Sequence, residues 1–174
     1  MKYKIGALLM LLSASAFGSE IEKSVELGNS LTAMVKSKSD VKLKSLTNYK
    51  EIRSYLKENG CPRFKYKQYI IRDGDVSKLY LVASKGKSVI IGRHFTGSLI
   101  ENTADISSFS SSTNGCVDLG APKKDAAAMF VTHLKPEPNE FHVLESNLAN
   151  IALYVSTKEV LYSVSGGEIK VIEK

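Results

Sequence analysis

Two cysteines, Cys61 and Cys116, constrain this chain more than any other feature of its sequence. In a protein that enters an oxidising compartment, an even number of cysteines indicates a disulfide. A bond between them would close a loop of about 55 residues and stabilise the fold by roughly 4 kcal/mol in the chain-entropy model. The alternative is a thiol nucleophile or a redox pair, but the C-x-x-C spacing typical of redox pairs is absent. We therefore predict a structural disulfide.

The first residues indicate that the chain does enter such a compartment. Lys2 and Lys4 form a basic start, residues 5–12 form an apolar run, and Ala16 and Gly18 have the spacing of a signal peptidase site. The apolar run is shorter than the roughly 20 residues that a bilayer requires. We predict a cleaved bacterial signal peptide and a periplasmic or secreted product. The alternative is a buried N-terminal helix of the core.

Removal of the signal peptide, residues 1–18, leaves residues 19–174, a length typical of one domain. The formal net charge of the whole chain is +6, and the loss of the two signal lysines leaves 22 basic and 18 acidic side chains, or +4. Basic residues are densest in the stretch KSKSDVKLK, but no nucleic-acid-binding motif accompanies them, and a solvated linker is the simpler interpretation. We predict no nucleic-acid partner and no membrane-spanning segment. The positive charge leaves an acidic protein partner as an option.

Helical spacing of apolar residues predicts two N-terminal helices. The first covers residues 21–36, although Gly28 weakens the pattern. The second begins at Asn48, whose side chain can form a capping box with Glu51. It ends at Gly60, where we expect a left-handed C-terminal cap.

The central part of the chain contains three runs rich in β-branched and aromatic residues: FKYKQYIIR, VSKLYLVAS and KSVIIGRHF. The dipeptides Asp73-Gly74 and Lys85-Gly86 between them are hairpin turn signals, so we predict a three-stranded antiparallel meander. Residues 96–116 lose this periodicity and are rich in serine, which predicts a long loop. Long ordered loops often carry binding sites.

The C-terminal part alternates between strand and helix patterns. A strand is predicted over residues 129–134, followed by a helix that Asn139 caps. The predicted buried face of this helix has apolar residues at steps of three and four: Phe141, Leu144, Leu148 and Ile151. Three short strands follow, with a turn at Gly166-Gly167. The predicted fold is one α+β domain, an antiparallel sheet built from the central meander and the C-terminal strands, with helices packed on one side.

Candidate chemistry is confined to three residues. His142 and Glu145 are three positions apart on the last predicted helix, so both side chains can reach one cation. His133 precedes that helix and would supply a third ligand, which is the ligand number of a catalytic zinc site. No ligand spacing of known specificity, such as H-E-x-x-H, accompanies them. They define an enzyme hypothesis, a small metal-assisted or acid–base hydrolase; the competing interpretation is a helix-start histidine beside an acid.

Our preferred interpretation needs no catalytic residue, metal or cofactor. Arg93, His94 and Phe95 end the third predicted strand beside the long loop and are the predicted binding residues. Proteins of this size that present a loop from a rigid scaffold include inhibitors of cell-wall hydrolases and immunity proteins against delivered toxins. We therefore predict a small periplasmic or secreted binding module, an inhibitor or immunity-type protein that acts by surface contact with a protein partner.

Overall fold

The computed structural model describes residues 11–73 and 75–173. In this part of the chain the helices and strands follow the order α1 (Leu11–Lys36), α2 (Tyr49–Asn59), β1 (Lys65–Asp73), β2 (Val76–Ser84), β3 (Phe95–Ile100), β4 (Thr103–Ala104), β5 (Ser110–Ser111), β6 (Ala128–Thr132), α3 (Glu140–Ala149), β7 (Ala152–Ser156), β8 (Leu161–Ser165) and β9 (Glu168–Glu173). The first ten residues of the predicted signal peptide lie outside the described residues, and its cleavage stays a prediction. No helix of the described part has the length and apolar character needed to cross a membrane.

The strands form two sheets, and the α+β class is confirmed. The first sheet has the order β1-β2-β3-β4, with β5 paired to β3, and all its pairs are antiparallel. The second has the order β6-β7-β8-β9, in which β6 and β7 are parallel. Helix α3 connects β6 to β7, and a parallel pair requires such a crossover. The meander and the C-terminal strands thus occupy separate sheets rather than the single sheet that the sequence suggested.

The third strand of the predicted meander was placed wrongly. Strand β3 starts at Phe95, and the apolar run before it bonds to residues 117–120 instead of to β2. For example, the amide nitrogen of Val89 donates to the carbonyl oxygen of Gly120 over 2.9 Å. A continuously apolar run is compatible with either partner, so β propensity alone does not choose between them. The serine-rich region predicted as a loop contains β3, β4 and β5.

Helix α2 lies between Asn48 and Gly60 as predicted, but neither residue caps it in the predicted way. The side chain of Asn48 does not cap the helix; it donates from Nδ2 to the carbonyl of Ala104 (2.8 Å) and accepts from the Ala104 amide at Oδ1 (3.0 Å). Gly60 has a φ of −74°, which is not left-handed. Glycine fits there because a Cβ atom would lie 2.4 Å from the carbonyl oxygen of Leu56. Asn48 thus serves a contact with a residue 56 positions away, which a local pattern does not contain.

Helix α3 begins as predicted. Asn139 Oδ1 accepts from the amide of Phe141 over 3.1 Å, and Nδ1 of His142 accepts from the amide of Asn139 over 3.1 Å. This is a capping box in which histidine takes the place of the usual Glu or Gln. Phe141 and Leu144 are buried as predicted. Leu148 was expected on the same buried face, but its side chain is 38% exposed.

Helices cover both faces of the first sheet. Along β2, Leu79 and Leu81 pack in a core group with α2, whereas Tyr80 and Val82 pack in another group with α1 and α3. Val143 of α3 belongs to a third group, which lies over the second sheet. Helix α3 therefore contributes side chains to the cores of both sheets, and three of its polar residues, His142, Glu145 and Ser146, are buried.

Candidate functional site

The predicted disulfide is present. Cys61 and Cys116 are bonded, with their Cα atoms 5.8 Å apart, and the bond joins the end of α2 to the chain after β5. Gly92 packs so closely against this second segment that a Cβ atom would lie 2.1 Å from the amide nitrogen of Val117. Residues 111–117, which we call the bridged segment, are therefore held both by a covalent bond and by close backbone packing.

Arg93, the first predicted binding residue, is half-buried and holds the bridged segment in place. Its backbone is left-handed, with a φ of +52°. Its Nε and Nη2 atoms both donate to the carbonyl oxygen of Asn114 at 3.1 Å, and Nη1 donates to the carbonyl of Asn59 at the end of α2. These bonds tie the bridged segment to α2, so the guanidinium has a structural task. Its contact with a partner stays a prediction.

His94 and Phe95, the other two predicted binding residues, lie in the core instead of at an exposed strand end. His94 Nδ1 accepts from the amide of Ala83 over 3.1 Å, so the ring proton is on Nε2, which donates to the carbonyl of Ile90 over 2.6 Å. Burial lowers the pKa of His94 to about 4, and the ring is neutral at pH 7. Its ring stacks on Phe141 with centroids 4.5 Å apart. Neither side chain is available for surface contact.

The structure brings together two of the three residues of the enzyme hypothesis. The rings of His133 and His142 are buried and lie with their centroids 4.7 Å apart. Glu145 is buried too, and its Oε2 accepts a hydrogen bond from the amide of Ile90 over 2.8 Å. Within the described part of the chain, no three side chains of His, Cys, Asp or Glu are arranged to hold a metal ion. The geometry therefore offers a histidine pair but not the expected three-ligand site.

The histidine pair is uncharged at neutral pH. Burial, reinforced by the neighbouring His133 and His94, lowers the pKa of His142 to about 3. Burial and the positive charge of Lys135 lower the pKa of His133. Nδ1 of His142 lies 3.1 Å from the amide nitrogen of Asn139 and 3.0 Å from Asn139 Oδ1, so these contacts occupy Nδ1 and not Nε2. Among the described residues, neither this Nε2 atom nor that of His133 has a hydrogen-bond partner.

A cleft of about 390 Å³ lies between the bridged segment and strand β6 with the residues after it. The bridged segment forms one wall of this cleft, and residues 130–135 form the other. Ile91 and Leu119 line the cleft as well. Phe130 and Leu134, on the β6 wall, are 70% and 79% exposed. Large apolar side chains exposed around one cleft mark an interaction site more often than scattered ones do. We call this cleft the β6 groove.

Strand β6 has an open edge beside this groove. The amide of His133 donates to the carbonyl of Ser156 over 2.8 Å, so His133 and, two residues earlier, Val131 direct their backbone groups toward β7. The N–H and C=O groups of Phe130 and Thr132 then point away from β7. Within the described residues, no other strand pairs with this edge. An open edge of this kind can accept an additional strand.

The charge of the β6 groove is positive. Lys135 is the one side chain among its lining residues that is charged at neutral pH. The ring of His133 adds no charge, since burial lowers its pKa. A partner that carries acidic side chains would therefore be attracted to the groove without repulsion from a carboxylate in its lining.

The local sequence predicts strand β6 but not its open edge. Phe130 and Leu134 alternate with the buried Val131 and His133, and this alternation was the available signal for one wet face. The signal is weak because the chain is apolar on both faces there. Whether the edge is paired depends on the order of the strands in the sheet, which the local sequence does not contain.

Comparison with protein-family models, with curated proteins and with solved structures found no match to this chain.

Proposed function

We propose that this protein is an exported protein-binding module of the inhibitor or immunity type, which binds an extended segment of a partner protein along the open edge of β6. The observation that carries the proposal is the exposure of Phe130 and Leu134 beside the β6 groove. Apolar side chains of this size gain about 1.5–3 kcal/mol each when a partner buries them fully.

Recognition would combine backbone and side-chain contacts. The outward N–H and C=O groups of Phe130 and Thr132 supply hydrogen bonds to the added strand, as in other cases of strand addition. Alternate side chains of that strand face the groove, where apolar ones meet Ile91 and Val117 and an acidic one meets Lys135. The disulfide already orders the bridged segment. This segment therefore loses less conformational entropy on binding than a free loop would lose.

This mode of action needs no reactive group. When a segment of a hydrolase or toxin pairs with the open edge of β6, that segment is no longer free to act. The retained positive charge of +4 after signal removal speeds encounter with an acidic partner and makes the association rate sensitive to salt. The inhibitor or immunity assignment rests on size and predicted compartment in addition to the groove.

Photo-crosslinking in the native host tests the proposal. Benzoylphenylalanine replaces Leu134 in one variant and Val171, which is exposed on β9 of the same sheet, in the control. We expect a cross-linked partner protein only from position 134. A product that consists of two copies of this chain, or equal products from both positions, would contradict the proposal.

Hydrogen exchange on the complex then tests strand addition. Once the partner is identified, its binding should protect the outward amides of Phe130 and Thr132. The amide of Val131, which faces β7 already, should change little. Leu134→Ser should weaken binding about tenfold or more, as expected for an exposed apolar anchor, without lowering the melting temperature. Protection spread over β9 instead of β6 would place the partner elsewhere.

The alternative is the metal-assisted or acid–base hydrolase, for which the supporting observation is the adjacent rings of His133 and His142, whose Nε2 atoms have no hydrogen-bond partner among the described residues. Elemental analysis of protein purified from the native host distinguishes it. Stoichiometric zinc that is lost in His142→Gln together with a hydrolytic activity would favour the enzyme. Metal-free protein that still captures its partner would favour the binding module.

A further inference from the structure

A second cavity, of about 760 Å³, shares no lining residue with the β6 groove. It lies between strands β1 and β2, the last turn of α3 and residues 121–126. Its volume falls within the range of about 300–1,000 Å³ that is typical of small-molecule sites. We call it the lysine-rimmed cavity, after Lys87, Lys123 and Lys124, which line it and are exposed.

One wall of the lysine-rimmed cavity is apolar. Val82, Val89 and Ile151 line it and are otherwise buried in the core. Leu148 lines it as well, and this accounts for the exposure of a leucine that the helical pattern assigned to the core. An apolar ligand group against this wall would remove the exposed surface of Leu148 from water.

The rim carries positive charge that is available to a ligand. Within the described part of the chain, Lys87, Lys123 and Lys124 form no salt bridge with an acidic side chain. The fourth lining lysine, Lys67, differs, because its Nζ atom lies 3.4 Å from Asp40. Three unpaired ammonium groups around one opening favour the entry of an anion.

The inner wall carries no compensating negative charge. Among the residues that line the cavity, Glu145 is the acidic one. Its side chain is buried, and its Oε2 atom accepts a hydrogen bond from the amide of Ile90 over 2.8 Å. Burial raises the pKa of Glu145 to about 8, so its carboxyl group is largely protonated at neutral pH. The cavity therefore combines an uncharged interior with a cationic rim.

We propose that the lysine-rimmed cavity binds an anionic amphiphile, with its single apolar chain against Leu148 and its carboxylate or phosphate head between Lys87, Lys123 and Lys124. A ligand of this class uses both halves of the cavity at once. A cationic amphiphile would meet repulsion at the rim, and a free inorganic anion would leave the apolar wall exposed. The site is independent of the β6 groove.

Calorimetric titration of the protein purified from its host tests this assignment with three amphiphiles below their micellar concentrations and with inorganic phosphate. Dodecanoate and dodecyl phosphate carry the two head groups, dodecyltrimethylammonium has the same chain with a positive head, and inorganic phosphate has no chain. We expect both anionic amphiphiles to bind at one site per chain, at least tenfold more tightly than either of the other probes. A difference between dodecanoate and dodecyl phosphate would identify the preferred head group.

Matched variants locate the site. Replacing Lys87, Lys123 and Lys124 together with Gln should weaken binding of dodecyl phosphate at least tenfold. The control replaces three exposed lysines elsewhere, Lys50, Lys57 and Lys158, and so removes the same net charge. Leu148→Asn should weaken binding with the rim intact.

Three results would overturn the proposal. Equal weakening by both lysine sets would indicate general electrostatic attraction rather than a site. Equal affinity for dodecyltrimethylammonium would indicate an apolar surface alone, and equal affinity for inorganic phosphate would indicate a free-anion site. Because all substituted residues are exposed or part-exposed, circular dichroism and melting temperature should confirm that each variant remains folded.

Discussion

The rings of His133 and His142 lie edge to face in the interior, with their centroids 4.7 Å apart. Their pKa values are lowered from the ordinary 6.5, that of His142 to about 3, and the pKa of the buried His94 is lowered to about 4. The unfolded chain takes up these protons near pH 6.5 whereas the folded chain does not. The stability associated with the neutral rings is therefore complete above pH 6.5 and is lost as the pH falls toward the folded-state pKa values.

We expect acid to destabilise this protein through these histidines. Below pH 6.5, each contributes a loss of up to about 1.4 kcal/mol per pH unit. His142→Gln keeps an acceptor for the Asn139 amide but cannot take up a proton. The unfolding free energy of this variant should therefore fall less steeply with decreasing pH, by the contribution of one histidine. Urea unfolding of both proteins between pH 4 and 7.5 measures this. Parallel curves would show that folding does not lower the pKa of His142.

Glu145 should have the opposite effect on the pH dependence of stability. Its pKa is raised from 4.5 to about 8 by burial, so its contribution to stability is complete below pH 4.5 and is lost as the pH rises through 8. Glu145→Gln keeps an oxygen acceptor for the Ile90 amide without an ionisable group. We expect the variant to be more stable than the parent by roughly 2–5 kcal/mol at pH 8, with the difference shrinking toward pH 4.5. Unfolding free energies at both pH values check this, and a constant difference would contradict it.

Two leucines of α3 provide a matched pair for core packing. Leu144 is fully buried, so Leu144→Ala should cost about 2–5 kcal/mol of unfolding free energy. Leu148 is 38% exposed, so Leu148→Ala should cost less than about 1.5 kcal/mol, although the helical pattern alone gave both the same expectation. Denaturant titration of the two variants measures the difference. Equal losses would mean that Leu148 is buried in solution.

The disulfide should stabilise the fold without taking part in chemistry. Thiol labelling of the denatured, unreduced protein should find no free cysteine, because Cys61 and Cys116 are bonded. The double variant Cys61→Ser, Cys116→Ser should lose about 2–5 kcal/mol of unfolding free energy. Its bridged segment should also become more mobile, so partner binding at the β6 groove should weaken more than ligand binding in the lysine-rimmed cavity. Equal effects on both would point to general loosening of the fold.

Local sequence determined the elements whose stability is local. Asn139 caps α3 because its side chain reaches an amide two residues away. Gly166 and Gly167 form the last turn because their φ values of +58° and +79° favour glycine. The three C-terminal strands follow from their β-branched residues. The disulfide was predictable too, since two cysteines in a chain predicted to be exported allow one intramolecular pairing.

Tertiary structure decided which segments are neighbours, and the candidate sites depend on that. The apolar run before Phe95 pairs with the chain after the disulfide. As a result, β3 starts later in the sequence than predicted, and His94 lies in the core. The order of the strands leaves β6 with an open edge. The packing of α3 against the rest of the fold places Leu148 in the lining of the lysine-rimmed cavity. Apolar periodicity shows that a side chain prefers burial, but not which surface buries it. That choice depends on packing between residues far apart in sequence, whose contact energies no short window contains.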